Sequence, residues 1–190
     1  MRNTIILSLV RRVRRASSRL PWARERKAVA SSTSEASRLI GVACSSALDD
    51  DTRAAAVEGL GRLRDPSVTP ALSSLLRSEG YIAVCAALAL GSARDPRAVR
   101  PLVDLLRDER RFWVERGAAA VALGRLGEVA APGLPALIEA STYTSAHGTE
   151  NWDERAREAV VDAIERIRNP QAPSRLLGRG HRYEMWGLVS

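Results

Sequence analysis

Apolar residues recur along most of this chain at three- and four-residue intervals, the spacing that lines up side chains on one face of a helix. The stretch 98–106 (AVRPLVDLL) is the clearest case. Val99, Leu102, Leu105 and Leu106 form one stripe there, and Arg97, Arg100, Asp104 and Arg107 lie off it. Other segments pair an alanine run with a following leucine, as in 52–66 (TRAAAVEGLGRLRDP) and 81–96 (YIAVCAALALGSARDP). Ala and Leu are strong helix formers, and a run of small side chains gives a helix a smooth face for close packing.

The alanine-leucine pattern repeats. Residues 115–128 read ERGAAAVALGRLGE and 155–170 read RAREAVVDAIERIRNP. Leu60, Leu90 and Leu123 fall in register, with Ile164 as a fourth copy that lacks the following glycine, at spacings of 30, 33 and 41 residues. Asp65-Pro66, Asp95-Pro96 and Asn169-Pro170 sit at matching positions. Proline disfavours helix in the residue before it, while Asp caps a following helix that has Pro in its first turn. Each unit therefore reads as a first helix, an Asp-Pro turn and a second helix, the second helices covering 68–76, 98–106 and 133–140. Residues 34–48, followed by Asp49-Asp50-Asp51, read as the second helix of a degenerate first unit, its first helix expected near 22–30. One such hairpin cannot bury both faces alone, so the copies must stack into a continuous core.

The expected fold is all-α: an α-solenoid, or superhelix, of about four helical hairpins over 22–168, preceded by a segment at 1–21 and followed by a tail at 169–190. These residues resemble the HEAT-repeat family, in particular its Ala-Leu-Gly-rich, bilin-lyase-like variety, so the hairpins are HEAT-like. The resemblance covers about three quarters of the chain. It implies that second helices line a concave, partner-facing side, and that an arginine early in the first helix pairs with a nearby turn aspartate. Arg53, Arg116 and Arg157 hold that position, and Ala83 departs from it.

Composition agrees with helices. Apolar residues make up 45% of the chain but aromatics only 4%, so the core must come from Ala, Leu and Val, and the residues that favour β-structure are sparse. The net charge of +7 is uneven: residues 1–30 carry nine basic groups and one acid, whereas 31–168 carry seventeen against twenty. The body is therefore not basic, although the ends are. No apolar run approaches the length of a transmembrane helix. Cys44 and Cys85 read as buried free thiols. Two histidines and no ligand spacing point to no metal and no cofactor.

The chain thus reads as a non-catalytic module for protein–protein interaction, a scaffold in the cytoplasm, with no small-molecule substrate evident. Its expected partner surface on the concave face comprises Arg77, Arg97, Arg100, Asp104 and Arg107, which would suit an acidic protein. The stretch 141–152 replaces a tight turn and carries Tyr143, His147 and Trp152, a second candidate for binding. At the start, Ile5, Ile6, Leu9, Val10, Val13, Ala16 and Leu20 share one helical face, and Arg11, Arg12, Arg14, Arg15 and Arg19 take the other. This basic amphipathic helix has three competing readings: a cap on the solenoid, a contact with an anionic membrane, or a site for nucleic acid or another acidic partner. Two further functions stay open. One is a nucleic-acid-binding HEAT-like protein that uses this helix. The other is an accessory protein resembling the bilin lyases, for which no catalytic constellation speaks.

Overall fold

The computed structural model describes residues 29–142 and 150–171. The helices are α1 (Val29–Ala43), α2 (Asp50–Leu63), α3 (Thr69–Leu75), α4 (Tyr81–Ala93), α5 (Val99–Arg107), α6 (Trp113–Leu126), α7 (Leu134–Ser141) and α8 (Glu150–Arg168). Short 3-10 turns lead into the second helices at Pro66–Val68, Pro96–Ala98 and Gly127–Gly133. The described residues contain no strand. The fold is an all-α solenoid, with α2, α4, α6 and α8 as first helices and α3, α5 and α7 as second helices.

The Asp-Pro turns work as their chemistry dictates. Asp65 and Asp95 accept from the backbone N–H groups of Ser67 and Arg97, at 2.8 and 2.9 Å, with the proline opening the next turn of helix. Ahead of them α2 and α4 end on Arg64 and Arg94 in the left-handed region, and the third copy has Gly127 there, also at positive φ. Asp49 caps α2 by accepting from the Thr52 N–H at 2.9 Å.

The core is a column of leucines. Leu60, Leu90 and Leu123 are fully buried, as are Leu72, Leu102 and Leu137 of the second helices. The glycine after each first-helix leucine is explained by its neighbour. A Cβ on Gly61 would come within 2.9 Å of the Ala89 Cα, one on Gly91 within 2.7 Å of the Ala122 Cα, and one on Gly124 within 2.9 Å of the Ala163 Cα. No real Cβ makes such a contact with backbone, so each first helix needs glycine to approach the alanine of the next. In the fourth copy Glu165 follows Ile164, and among the described residues no further first helix packs beyond α8.

First helices therefore pack on one another along their length, α2 on α4, α4 on α6 and α6 on α8. Each second helix packs on the first helix of the next unit, and second helices barely meet one another. The first helices are therefore the closely packed layer, called the inner layer below, and the second helices the looser, outer one.

Four expectations need adjusting. Helix α1 runs from 29 to 43 instead of 34 to 48, leaving Ala47 and Leu48 as exposed linker. Cys44, just past its end, is exposed, and only Cys85 is buried. The stretch Trp113–Ser141 is long and apolar enough by composition to cross a membrane. In the fold it is α6, the Gly127–Gly133 turn and α7, with Leu123, Leu126, Ala130 and Leu137 in the core. The long connection is also shorter than 141–152, because α8 already begins at Glu150.

Candidate functional site on the first-helix layer

The solenoid register aligns three positions on successive first helices: Ala55, Glu58 and Arg62 of α2, Cys85, Leu88 and Ser92 of α4, and Ala118, Val121 and Arg125 of α6, at the same 30- and 33-residue spacings as the leucines. A hollow of about 310 Å³ opens here, lined by Glu58, Gly61, Arg62, Arg64, Cys85, Leu88, Ala89, Ser92 and Arg125. Three successive first helices contribute to it. The Ser92 hydroxyl and the Arg125 guanidinium both donate to the Leu88 carbonyl, at 3.2 and 3.4 Å. Arg62 lies 3.4 Å from Glu58.

The floor is poorly solvated. Burial pushes the Glu58 carboxyl above its ordinary range, and the Arg62 charge only partly offsets this. Burial, with Glu58 adding to it, pushes the Cys85 thiol up to about 12, against a hydrogen bond with Tyr81 that acts the other way. Such a thiol stays protonated at neutral pH and is no nucleophile. Among the described residues no three His, Cys, Asp or Glu side chains gather as a metal site. The hollow offers arginine charge, one carboxylate, a hydroxyl and a leucine.

The sequence-selected residues lie elsewhere. Arg77, Arg100, Asp104 and Arg107 are exposed on or beside the second helices, on the outer layer. Arg107 pairs with Glu139 at 3.0 Å, joining α5 to α7. Arg77 and Arg100 make no side-chain ion pair or hydrogen bond among the described residues. Arg97 serves the fold: it pairs with the buried Asp95 at 2.7 Å and donates to the Pro66 carbonyl at 2.8 Å, tying one Asp-Pro turn to the previous one. Its hydrogen bond is the main reason the Asp95 carboxyl sits at about 2, with burial acting the other way. Tyr143 and His147 lie outside the described residues, as do Arg11, Arg12, Arg14, Arg15 and Arg19. Trp152 falls in the first turn of α8.

The repeat arginines cap helices more than they pair with turns. Arg53 does reach Asp50 at 2.8 Å, but its Nε donates to the Ala43 carbonyl at the end of α1. Arg116 does the same to the Leu106 carbonyl near the end of α5, also ten residues back. This shared register identifies α1 as a second helix. Arg157 is exposed on α8.

Where Ala83 breaks the pattern, a residue that sequence reasoning passed over fills the gap. Arg111 donates to the carbonyls of Leu76 and Ser78. Leu76 stands in the Leu-Leu-Arg motif where Leu106 stands in the next unit. Arg111 is held by Glu115 at 3.0 Å, whose carboxylate is 3% exposed and also accepts from the N–H groups of Gly80 and Phe112. The available signal was the 33-residue spacing itself: three extra residues precede α6, and Arg111 is among them.

Residues 40–124 match the family HEAT repeats and residues 115–142 the family PBS lyase HEAT-like repeat. The chain is a HEAT-repeat protein with bilin-lyase-like repeats. No curated protein matches it. Among solved structures it is similar to a chain in the complex of CpcE and CpcF of phycocyanin lyase from Nostoc sp. PCC7120, with 25% identity and a TM-score of 0.52. That likeness covers 77% of this HEAT-repeat protein and 57% of the other chain, so it spans less than two thirds of the neighbour's length.

Proposed function

We propose that this HEAT-repeat protein is a non-catalytic interaction module whose working surface is the inner, first-helix face around Glu58, Arg62, Leu88, Ser92 and Arg125. The observation that carries this is the hollow shared by α2, α4 and α6. It lies where glycine-alanine contacts hold three helices in fixed register, so polar groups from separate repeats are presented together. A surface held this way loses little entropy on binding. The test is affinity capture with mass spectrometry, comparing wild type with Arg62→Glu/Arg125→Glu and with Arg100→Glu/Arg107→Glu. A partner retained by wild type and by the outer-face variant, but lost from the inner-face variant at unchanged circular dichroism, supports the reading. Retention by both variants refutes it.

A second reading has its own support in the PBS lyase HEAT-like match and the phycocyanin-lyase neighbour. In it the protein is an accessory to chromophore attachment, working as one half of a pair. Incubation with a bilin and a phycocyanin apoprotein, with candidate HEAT-repeat partners added, tests it. No covalent chromophore under any combination would exclude this role.

A further inference from the structure

The inner hollow has a charge balance unlike that of the body around it. Residues 31–168 carry more acids than bases. The lining of the hollow reverses this, with Arg62, Arg64 and Arg125 against the single carboxylate of Glu58. Leu88, half-buried, lies between the charged rungs, and the same register position is Glu58 on α2 and Val121 on α6. At about 310 Å³ the hollow is at the lower end of the about 300–1,000 Å³ typical of small-molecule pockets, and it opens to solvent on one side. It has room for a few side chains but not for a whole element.

We propose that this hollow receives an acidic segment of a partner protein, with a carboxylate among Arg62, Arg64 and Arg125 and a neighbouring apolar side chain on Leu88. The assignment rests on the interaction-module reading and supplies the chemistry of the partner. Arginine suits the task, since its planar guanidinium meets a carboxylate through paired hydrogen bonds. Arg62 lies 3.4 Å from Glu58 and Arg125 donates to the Leu88 carbonyl at 3.4 Å, so both guanidiniums stand at the wall of the hollow. A nucleic-acid backbone fits less well, because it needs a continuous basic strip and the body of this chain is net acidic.

The probe is an array of ten-residue peptides combining Asp or Glu with Leu, Ile or Phe, matched to copies in which each acid is replaced by Gln or Lys. Binding of the full chain is followed by fluorescence polarisation, with single-stranded oligonucleotides alongside. The expected result is selective binding of peptides that hold both an acid and an apolar residue. Affinity should fall about tenfold or more in Arg62→Ala/Arg125→Ala and in Ser92→Glu, and be unchanged in Arg100→Glu/Arg107→Glu. Ser92→Glu keeps both arginines and adds a repelling charge, so it guards against loss through misfolding, which thermal melts also monitor. Preference for basic or neutral peptides, binding of oligonucleotides alone, or no peptide binding would overturn the proposal. Loss of binding in Arg100→Glu/Arg107→Glu alone would move the site to the outer face and leave an interaction role standing. No peptide binding together with no captured partner would remove both readings.

Discussion

The two layers of this solenoid are held by different physics. First helices meet through bare backbone: Gly61 against Ala89, Gly91 against Ala122, Gly124 against Ala163. Many dispersion contacts form there at short range, and none can be lengthened without loss. Second helices are wider apart and rely on capped ends and charges, such as Arg107 with Glu139 and Arg97 with Asp95 and the Pro66 carbonyl. The close layer is intolerant of added volume. The open layer tolerates changes at its exposed positions, because solvent already competes for those groups. A surface on the inner layer is therefore pre-set in shape, whereas outer-face charges are free to vary.

The largest expected break is Gly91→Leu. Its Cβ alone would sit 2.7 Å from the Ala122 Cα, with three further heavy atoms behind it, and backbone cannot rotate away. A loss of about 4 kcal/mol or more, or failure to accumulate as soluble protein, is expected in urea unfolding and expression trials. Leucine at exposed Arg100 should leave the urea midpoint nearly unchanged, and a comparable loss there would erase the distinction between layers.

The joint between the second and third units should be next. Glu115→Ala removes the buried carboxylate that holds Arg111 and leaves the Gly80 and Phe112 N–H groups without their acceptor, at a cost of about 3 kcal/mol. Arg111→Ala should cost somewhat less, about 2 kcal/mol, by uncapping Leu76 and Ser78. Placing arginine at position 83, where the other units carry it, should recover part of that loss. No recovery in the double variant would show that Arg111 does not stand in for the repeat arginine.

A smaller effect is readable in pH. The Asp95 carboxyl titrates at about 2 in the folded chain and near the ordinary value of about 4 when unfolded. The folded value is the lower one, so its contribution is complete above about pH 4 and lost as pH falls toward 2. With the partner Arg97 largely exposed, the contribution is about 1 kcal/mol. Asp95→Asn should flatten that limb of the stability profile; an unchanged slope between pH 4 and 2 would contradict the pairing. The smallest effect belongs to Arg107→Ala, about 0.5 kcal/mol or less and weakened by salt, since both partners are half-exposed.

Much of this was present in one dimension. The leucine spacing, the alanine runs and the Asp-Pro turns determined the helices and their buried faces, because each is a local rule of periodicity or capping. Val99, Leu102, Leu105 and Leu106 are buried, and Arg100, Asp104 and Arg107 are exposed, as their spacing dictates. Three things were decided only in three dimensions. Which layer is the inner one depends on the relative spacing of the layers, and a helical period says which face is buried but not how far apart two helices lie. That is why the proposed surface lies around Glu58, Leu88 and Arg125 instead of Arg100 and its neighbours. The role of Arg111 depends on carbonyls more than thirty residues earlier, brought near by the stacking of repeats. The exposure of Cys44 follows from α1 ending at Ala43, at a boundary that local propensity fixes only to within a few residues.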